Sequence, residues 1–269
     1  MLHKTGIPII FLHVGDKTVV DLALRQAGLA SPDSDIILLS DEVRSLPFEA
    51  TQALIPEYNQ DFKAFQAAYT HVSANPEGYE LVCFARWFIL REFVRRHGIG
   101  RFCIFDSDIM LFSPVAHFAA EFAGHGAGNW AWANVFNGME ALDRMCGYFH
   151  HVFRNKPLLD ELSHKYTQHG VPHISDMYLL YELAEQDPIF LDQSDFPSKG
   201  YDHNIQSSEG GLYDMNGSIK HLVMKPGGMP VARRSRDGAA VPFHFLHFQG
   251  LSKRWMPQVA WPAGTPARS

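Results

Sequence analysis

The chain is poor in cysteine, in charge and in long apolar runs. It has 3 cysteines in 269 residues, Cys83, Cys103 and Cys146, an odd number with no Cys-x-x-Cys pair. This argues against a disulfide framework and a zinc ribbon, and makes a reducing compartment the expectation. No stretch approaches the roughly 18 apolar residues of a membrane-spanning helix. The opening run Ile7-Pro8-Ile9-Ile10-Phe11-Leu12 is short and leads into Gly15-Asp16-Lys17 without a small-residue cleavage site, so it reads as a buried strand rather than a leader. Charged residues make up 19%, below the usual quarter, and 23 basic against 29 acidic residues leave a net charge of −6. A general nucleic-acid binder is normally basic, so nucleic acid is not an expected partner. There is no internal repeat and no clear linker.

What is present is material for a core. The chain is 46% hydrophobic, with 20 Phe residues, which excludes a disordered chain. The length suits one large domain or two small ones. Fifteen His residues raise the expectation of metal or phosphate chemistry.

Strand, helix and strand follow one another within the first 40 residues. Ile7–Val14 is a continuous apolar run, as in a parallel strand covered on both faces. Asp16 is placed to cap a helix over 17–27, with Gly28 as its stop. Pro32-Asp33-Ser34-Asp35 reads as a solvated turn, and Ile36–Ser40 as a second buried strand. This is a βαβ unit of an α/β fold. Residues 43–60 read as loop. Helices are predicted over 61–72 and 80–97, the second ended by Gly98, and then a short buried strand over 102–105. Further on, helices are predicted over 138–153 and 176–184, the latter capped by Ser175. Residues 192–211 read as loop, 225–240 as a mobile loop, and 241–248 as one late strand.

The first chemical candidate is Asp106-Ser107-Asp108. Side chains at i and i+2 of an extended segment share a face, and two carboxylates there can hold a hard divalent cation that bridges two phosphates. The triplet alone is weak, because 17 aspartates give roughly one Asp-x-Asp per chain by chance. Its context is stronger. Asp106 ends a buried strand, where open α/β sheets bind ligands, and adjacent carboxylates there call for a compensating cation. A turn or helix cap is the plainer alternative. The second candidate is His247-Phe248-Gln249-Gly250-Leu251-Ser252-Lys253-Arg254-Trp255. A neutral His247 can complete a metal site, Gly250 lets the backbone approach a phosphate, and Lys253 can neutralise a departing diphosphate. A lone His on an apolar strand is commonly a core residue. The pattern His-x-x-Gly-x-x-Lys-x-Trp, however, arises by chance roughly once in a thousand such chains.

Together these motifs resemble the GT-A-fold glycosyltransferases, and most closely glycosyltransferase family 8, whose members use nucleotide-sugar donors and retain anomeric configuration. The family's C-terminal motif has Pro where this chain has Arg254. The resemblance implies a GT-A-like α/β fold: a Rossmann-type, mostly parallel sheet flanked by helices. It implies a single domain over 1–269, with a nucleotide-binding half (1–112) and an acceptor half (113–269). Carried over, Asp106, Asp108 and His247 would hold Mn²⁺ or Mg²⁺, with Ser107 between them facing the donor. Gly250 and Lys253 would meet the diphosphate. Arg86 would meet the donor sugar or the first Asp. His13, Val14, Gly15 and Asp41 would hold the base and ribose. The family's Asn-x-Gly stretch is matched only by Asn137-Gly138, one residue shorter, and its Asp-Gln-Asp helix start only by Asp176.

The resulting expectation is metal-dependent transfer of a hexose from a nucleotide diphosphate sugar, a UDP-sugar by preference, to a saccharide or glycolipid acceptor, with Lys253 and Asp176 as catalytic candidates. Asp176 is equally well read as a first-turn Asp favoured by the helix dipole. Two other readings are a nucleotidyltransferase or sugar-nucleotide pyrophosphorylase, disfavoured because only Gly15 and Lys17 follow the first strand, and a glycan-binding protein without catalysis. The expected location is cytoplasmic, with peripheral membrane contact through a glycolipid acceptor left open. Arg233, Arg234 and Arg236 are read as a solvated patch, a diphosphate lid or a lipid contact. His150 and His151 are read as exposed. Trp130, Trp132 and Trp261 are read as core or lid, with sugar stacking open to Trp130 and Trp132.

Overall fold

The computed structural model describes residues 2–15, 18–46, 49–170, 173–225 and 227–262. The cap expected at Asp16 lies outside them. Among the described residues no helix is long and apolar enough to cross a membrane. All three cysteines are free.

The chain opens with β1 (Ile9–His13), α1 (Thr18–Ala30), β2 (Ile36–Ser40) and β3 (Thr51–Leu54). After a 3₁₀ turn come α2 (Gln60–Gln66), α3 (Glu77–Arg96), β4 (Arg101–Asp106), β5 (Ile109–Leu111) and α4 (Val115–Ala120). Next are β6 (Ala127–Gly128), β7 (Ala133–Asn137), α5 (Glu140–Arg154), α6 (Lys156–Gln168), α7 (Asp176–Gln186) and β8 (Phe190–Leu191). The last part holds β9 (Met215–Asn216), β10 (Ile219–Lys220), β11 (Leu222–Val223), β12 (Val231–Arg233), β13 (Ala240–Pro242), β14 (Phe245–His247) and α8 (Met256–Val259).

The described residues cluster into two compact units, one drawn from 1–53, 103–121 and 193–269, the other from 54–102 and 122–192. In the first, the strands run in the order β3–β2–β1–β4. β1 is parallel to both neighbours, with Ile10 opposite Ile37 on one side and Ile104 on the other. A strand paired on both edges and covered on both faces needs apolar side chains at every position, which is why β2 and the middle of β4 read as unbroken runs. α1 lies against β5 and buries Val20, Leu24 and Ala27. The second unit is built around aromatic rings: Phe65 stacks on Phe88 and meets Phe84 and Phe153.

Several local expectations are corrected. α1 runs through Gly28 to Ala30, because Gly28 keeps a negative φ and the buried Ala27 and Ala30 carry the packing face onward. In the 33–35 turn Asp33 is exposed, but Asp35 is buried and its Oδ2 accepts from the main-chain N–H of His3 and Lys4. The 43–60 stretch contains β3, in which only Ala53 is buried, so no alternation marked it. α2 stops at Gln66, yet Tyr69 still packs on Phe153 from the following turn. The late strand is two strands, because the N–H of Phe243 turns to Pro230 and that of His244 to Gly200. The expected mobile loop 225–240 holds β12, the middle strand of an antiparallel ribbon with β11 and β13. There Arg234 pairs with Asp237 at 2.9 Å, while Arg236 and Arg233 face Asp237 and Asp214, so the patch carries its own acids.

Phe105, directly before the Asp106 carboxylate, is fully buried against Phe11, Phe118 and Phe245. Phe105→Ala is expected to destabilise the protein by about 3–5 kcal/mol in chemical denaturation, as for a large ring removed from a packed core. An unchanged midpoint would place the β4 core elsewhere.

Candidate metal and nucleotide site

β4 delivers Asp106 at its C-terminal end, a two-residue turn carries Ser107 and Asp108, and β5 resumes at Ile109. β14 pairs antiparallel with β5, so that His247 lies opposite Ile109, and the Phe248 N–H donates to the Asp108 carbonyl at 2.9 Å. This pairing sets the two sequence motifs side by side. One ligand atom from each of Asp106, Asp108 and His247 lies within 4.8 Å of the others. His247 Nε2 is 3.4 Å from Asp108 Oδ1, and Lys253 Nζ is 3.1 Å from Asp108 Oδ2.

The electrostatics follow from this crowding. Burial alone would raise the Asp108 carboxyl, but His247 and Lys253 outweigh it and hold the group below its usual range. Burial alone would lower the His247 imidazole, but Asp108, helped by Asp106 and Asp202, raises it. Two carboxylates and one imidazole are a suitable donor set for Mn²⁺ or Mg²⁺. Asp106 from the end of β4, Asp108 from the turn after it and His247 from the end of β14 bring their ligand atoms within 4.8 Å of one another, so the residues fit such a cation.

The rest of the C-terminal motif is a 3₁₀ helix, Gly250–Trp255. Gly250 adopts φ 55°, and a Cβ there would meet nothing within 4 Å, so this turn presents open backbone. Lys253 is 42% exposed, able to reach a ligand while it holds Asp108.

The turn after β1 is tied to the same region. His13 Nδ1 and Ser107 Oγ share a hydrogen bond of 2.8 Å. Gly15 adopts φ 95°, and its N–H donates to Asp41 Oδ2 at 3.2 Å. Arg44 closes the ring: its Nη2 donates to the Gly15 carbonyl at 2.5 Å and to Asp41 Oδ1 at 2.8 Å. Burial works against the Asp41 charge, but Arg44 and the Gly15 N–H prevail and hold the carboxyl low. The Arg44 side chain is 1% exposed. Sequence reading missed it, because a single Arg in a loop gives no sign that a glycine 29 residues earlier is its partner. Val14 points outward, 46% exposed.

In the second unit, Arg86 and Asp176 meet. Arg86 Nη2 lies 2.5 Å and Nε 3.1 Å from Asp176 Oδ2, which also accepts from Trp87 Nε1 at 2.8 Å. Asp176 Oδ1 takes the Met177 N–H, and Ser175 caps α7 as expected. Asn137 accepts from Arg101 Nε at 2.7 Å and donates to the carbonyls of Phe122 and His125. Trp130 and Trp132 are buried and stack on each other, which corrects the idea that either ring faces an acceptor. Trp261 is core. His150 is half-buried, edge-on to Phe65 and Phe88, and burial pushes its pKa down; His151 is exposed.

The Asp108–His247 pair makes metal-free stability depend on pH. A raised His247 contributes stability that is full below about pH 6.5 and is lost as pH rises through its folded value. A lowered Asp108 contributes stability present above about pH 3.9 and lost as pH falls through its own folded value. In EDTA the wild-type melting temperature is therefore expected to decline on the alkaline side, and His247→Gln to flatten that limb. Identical alkaline slopes would contradict the pairing.

No family model matches the chain, and no curated protein matches it in sequence. Solved structures do resemble it. Mouse xyloside xylosyltransferase 1 in its apo form has a TM-score of 0.52 at 12% identity, over 80% of this chain and 96% of that one. An active-site mutant of LgtC has a TM-score of 0.50 at 12% identity, over 94% of this chain and 95% of that one. At this identity the likeness is one of fold, and the chain has the GT-A-like α/β architecture: a mostly parallel central sheet flanked by helices.

Proposed function

We propose that the chain is a glycosyltransferase that moves a hexose from a nucleotide diphosphate sugar, a UDP-sugar by preference, to a saccharide or glycolipid acceptor. The observation that carries this reading is the convergence of Asp106, Asp108, His247 and Lys253 at the C-terminal end of β4. A half-buried and a buried carboxylate backed by an imidazole, with an ammonium beside them, suit a divalent cation that meets a diphosphate. A diphosphate donor calls for such a site, because its leaving group develops charge that must be neutralised.

In this reading Asp106, Asp108 and His247 hold a divalent cation, Mn²⁺ or Mg²⁺. When bound, the cation would take up charge on the diphosphate as a Lewis acid. Lys253, 3.1 Å from Asp108 Oδ2 and 42% exposed, would share that charge through its ammonium. Gly250 lets the backbone close on the phosphates. His13, Gly15 and Asp41, with Arg44 behind them, shape the nucleoside end, and Ser107 tethers His13 beside the carboxylates. Asp176 already accepts from Arg86, Trp87 and Met177, which suits holding Arg86 in place better than taking a proton as a general base. The acceptor proton then passes to the leaving phosphate oxygen, as a retaining reaction allows.

The test is release of UDP from a panel of UDP-sugars with Mn²⁺ and with EDTA. Turnover is expected only with the metal. Asp108→Asn is expected to lower it at least a hundredfold, and Lys253→Met by about a hundredfold, the scale of losing one charge-stabilising donor. Turnover that survives EDTA or Asp108→Asn would contradict the reading.

A further inference from the structure

Behind His247 lies a buried ionic cluster that the reaction itself does not use. Lys220, on β10, has a side chain that is 0% exposed. Its ammonium donates to Asp202 Oδ1 at 2.6 Å, to the Asn204 carbonyl at 2.6 Å and to Glu209 Oε1 at 2.9 Å. Three N–H groups thus meet three acceptors, the full capacity of a lysine. Two of those partners belong to the segment 202–204, which wraps the back of His247. Asp202 Oδ2 accepts the His247 main-chain N–H at 2.9 Å. The His203 carbonyl lies 2.7 Å from His247 Nδ1. The ladder continues with Ile205 N–H on the His247 carbonyl and Lys220 N–H on the Ile205 carbonyl. The same turn needs Glu209 at φ 51°, the one described non-glycine residue with positive φ.

A carbonyl can only accept, so the proton between His203 and His247 sits on Nδ1. That assigns the imidazole tautomer and aims Nε2 at Asp108. We propose that Lys220 is the positioning residue of the metal centre: by clamping Asp202 and Asn204 it fixes the His203 carbonyl, and through it the tautomer and orientation of His247. This rests on reading Asp106, Asp108 and His247 as cation ligands. A buried ion cluster brings little net stability compared with an apolar set of the same volume, so what the cluster orients explains its place better than what it stabilises. Partners that orient a ligating histidine typically govern metal affinity by ten- to a hundredfold.

The test is the double variant Lys220→Met/Asp202→Leu, which removes both charges together and leaves neither stranded. Its Mn²⁺ dissociation constant is expected to rise about ten- to a hundredfold while its melting temperature stays near that of wild type. In metal-free protein at alkaline pH, ¹⁵N imidazole shifts are expected to show His247 as the Nδ1–H tautomer in wild type and as a mixture in the variant. Lys199→Met, which breaks an exposed pair with Glu121, is expected to change neither readout. If the double variant does not fold, the isosteric Asp202→Asn serves instead, with a smaller change in the same direction. A folded variant in which either readout matches wild type overturns the proposal. A wild type that binds no Mn²⁺ sinks the metal reading instead, and the tautomer then decides the positioning role alone.

Discussion

The site depends on one short antiparallel pairing. β5 and β14 share only three residue pairs, Phe245 with Leu111, Leu246 with Met110 and His247 with Ile109. Those pairs join parts of the chain 134 to 138 residues apart and put an imidazole against two carboxylates. Loop closure over such a span is entropically unfavourable, and two anions at a buried strand end are more so. Both penalties are met from the packing beneath. Phe105, Phe118, Phe245 and Tyr201 form one aromatic cluster under the pairing. The charges above it are then balanced by His247 and Lys253.

The arrangement separates framework from chemistry. Parallel strands β1, β2 and β4 are apolar to their ends, and their last residues, His13, Ser40 and Asp106, turn polar at the same edge. Each turn leaving that edge is held by a different device. A guanidinium, Arg44, grips the Gly15 turn; a hydroxyl, Ser107, tethers His13; an ammonium, Lys220, holds the segment behind His247. None of these devices is apolar, so the edge can be rigid and still present charge to a ligand.

The framework was legible because burial on both faces leaves a strong trace: Ile9–Leu12, Ile36–Leu39 and Phe102–Phe105 admit no polar residue. The triad was legible because its spacing is local on both sides: Asp106 with Asp108, and His247 with Gly250 and Lys253. What was lost is of two kinds. Some elements carry weak local signals. α6 buries only Leu159, Leu162 and Tyr166 on an otherwise polar helix, although Asn155 and Pro157 mark its start, and β12 is hidden among Gly, Pro and Arg. Other residues act only through distant partners. Arg44 and Lys220 have no sequence pattern that predicts what they hold, because their partners are set by tertiary contact alone.

The proposed cation site is one that a nucleotide diphosphate would complete. The direct measurement is calorimetric binding of UDP to wild type with Mn²⁺ and then with EDTA, repeated on Asp106→Ala/Asp108→Ala. Binding that requires both the metal and the two carboxylates is the expected result. UDP binding of equal strength in EDTA, or in a folded double variant, would contradict it.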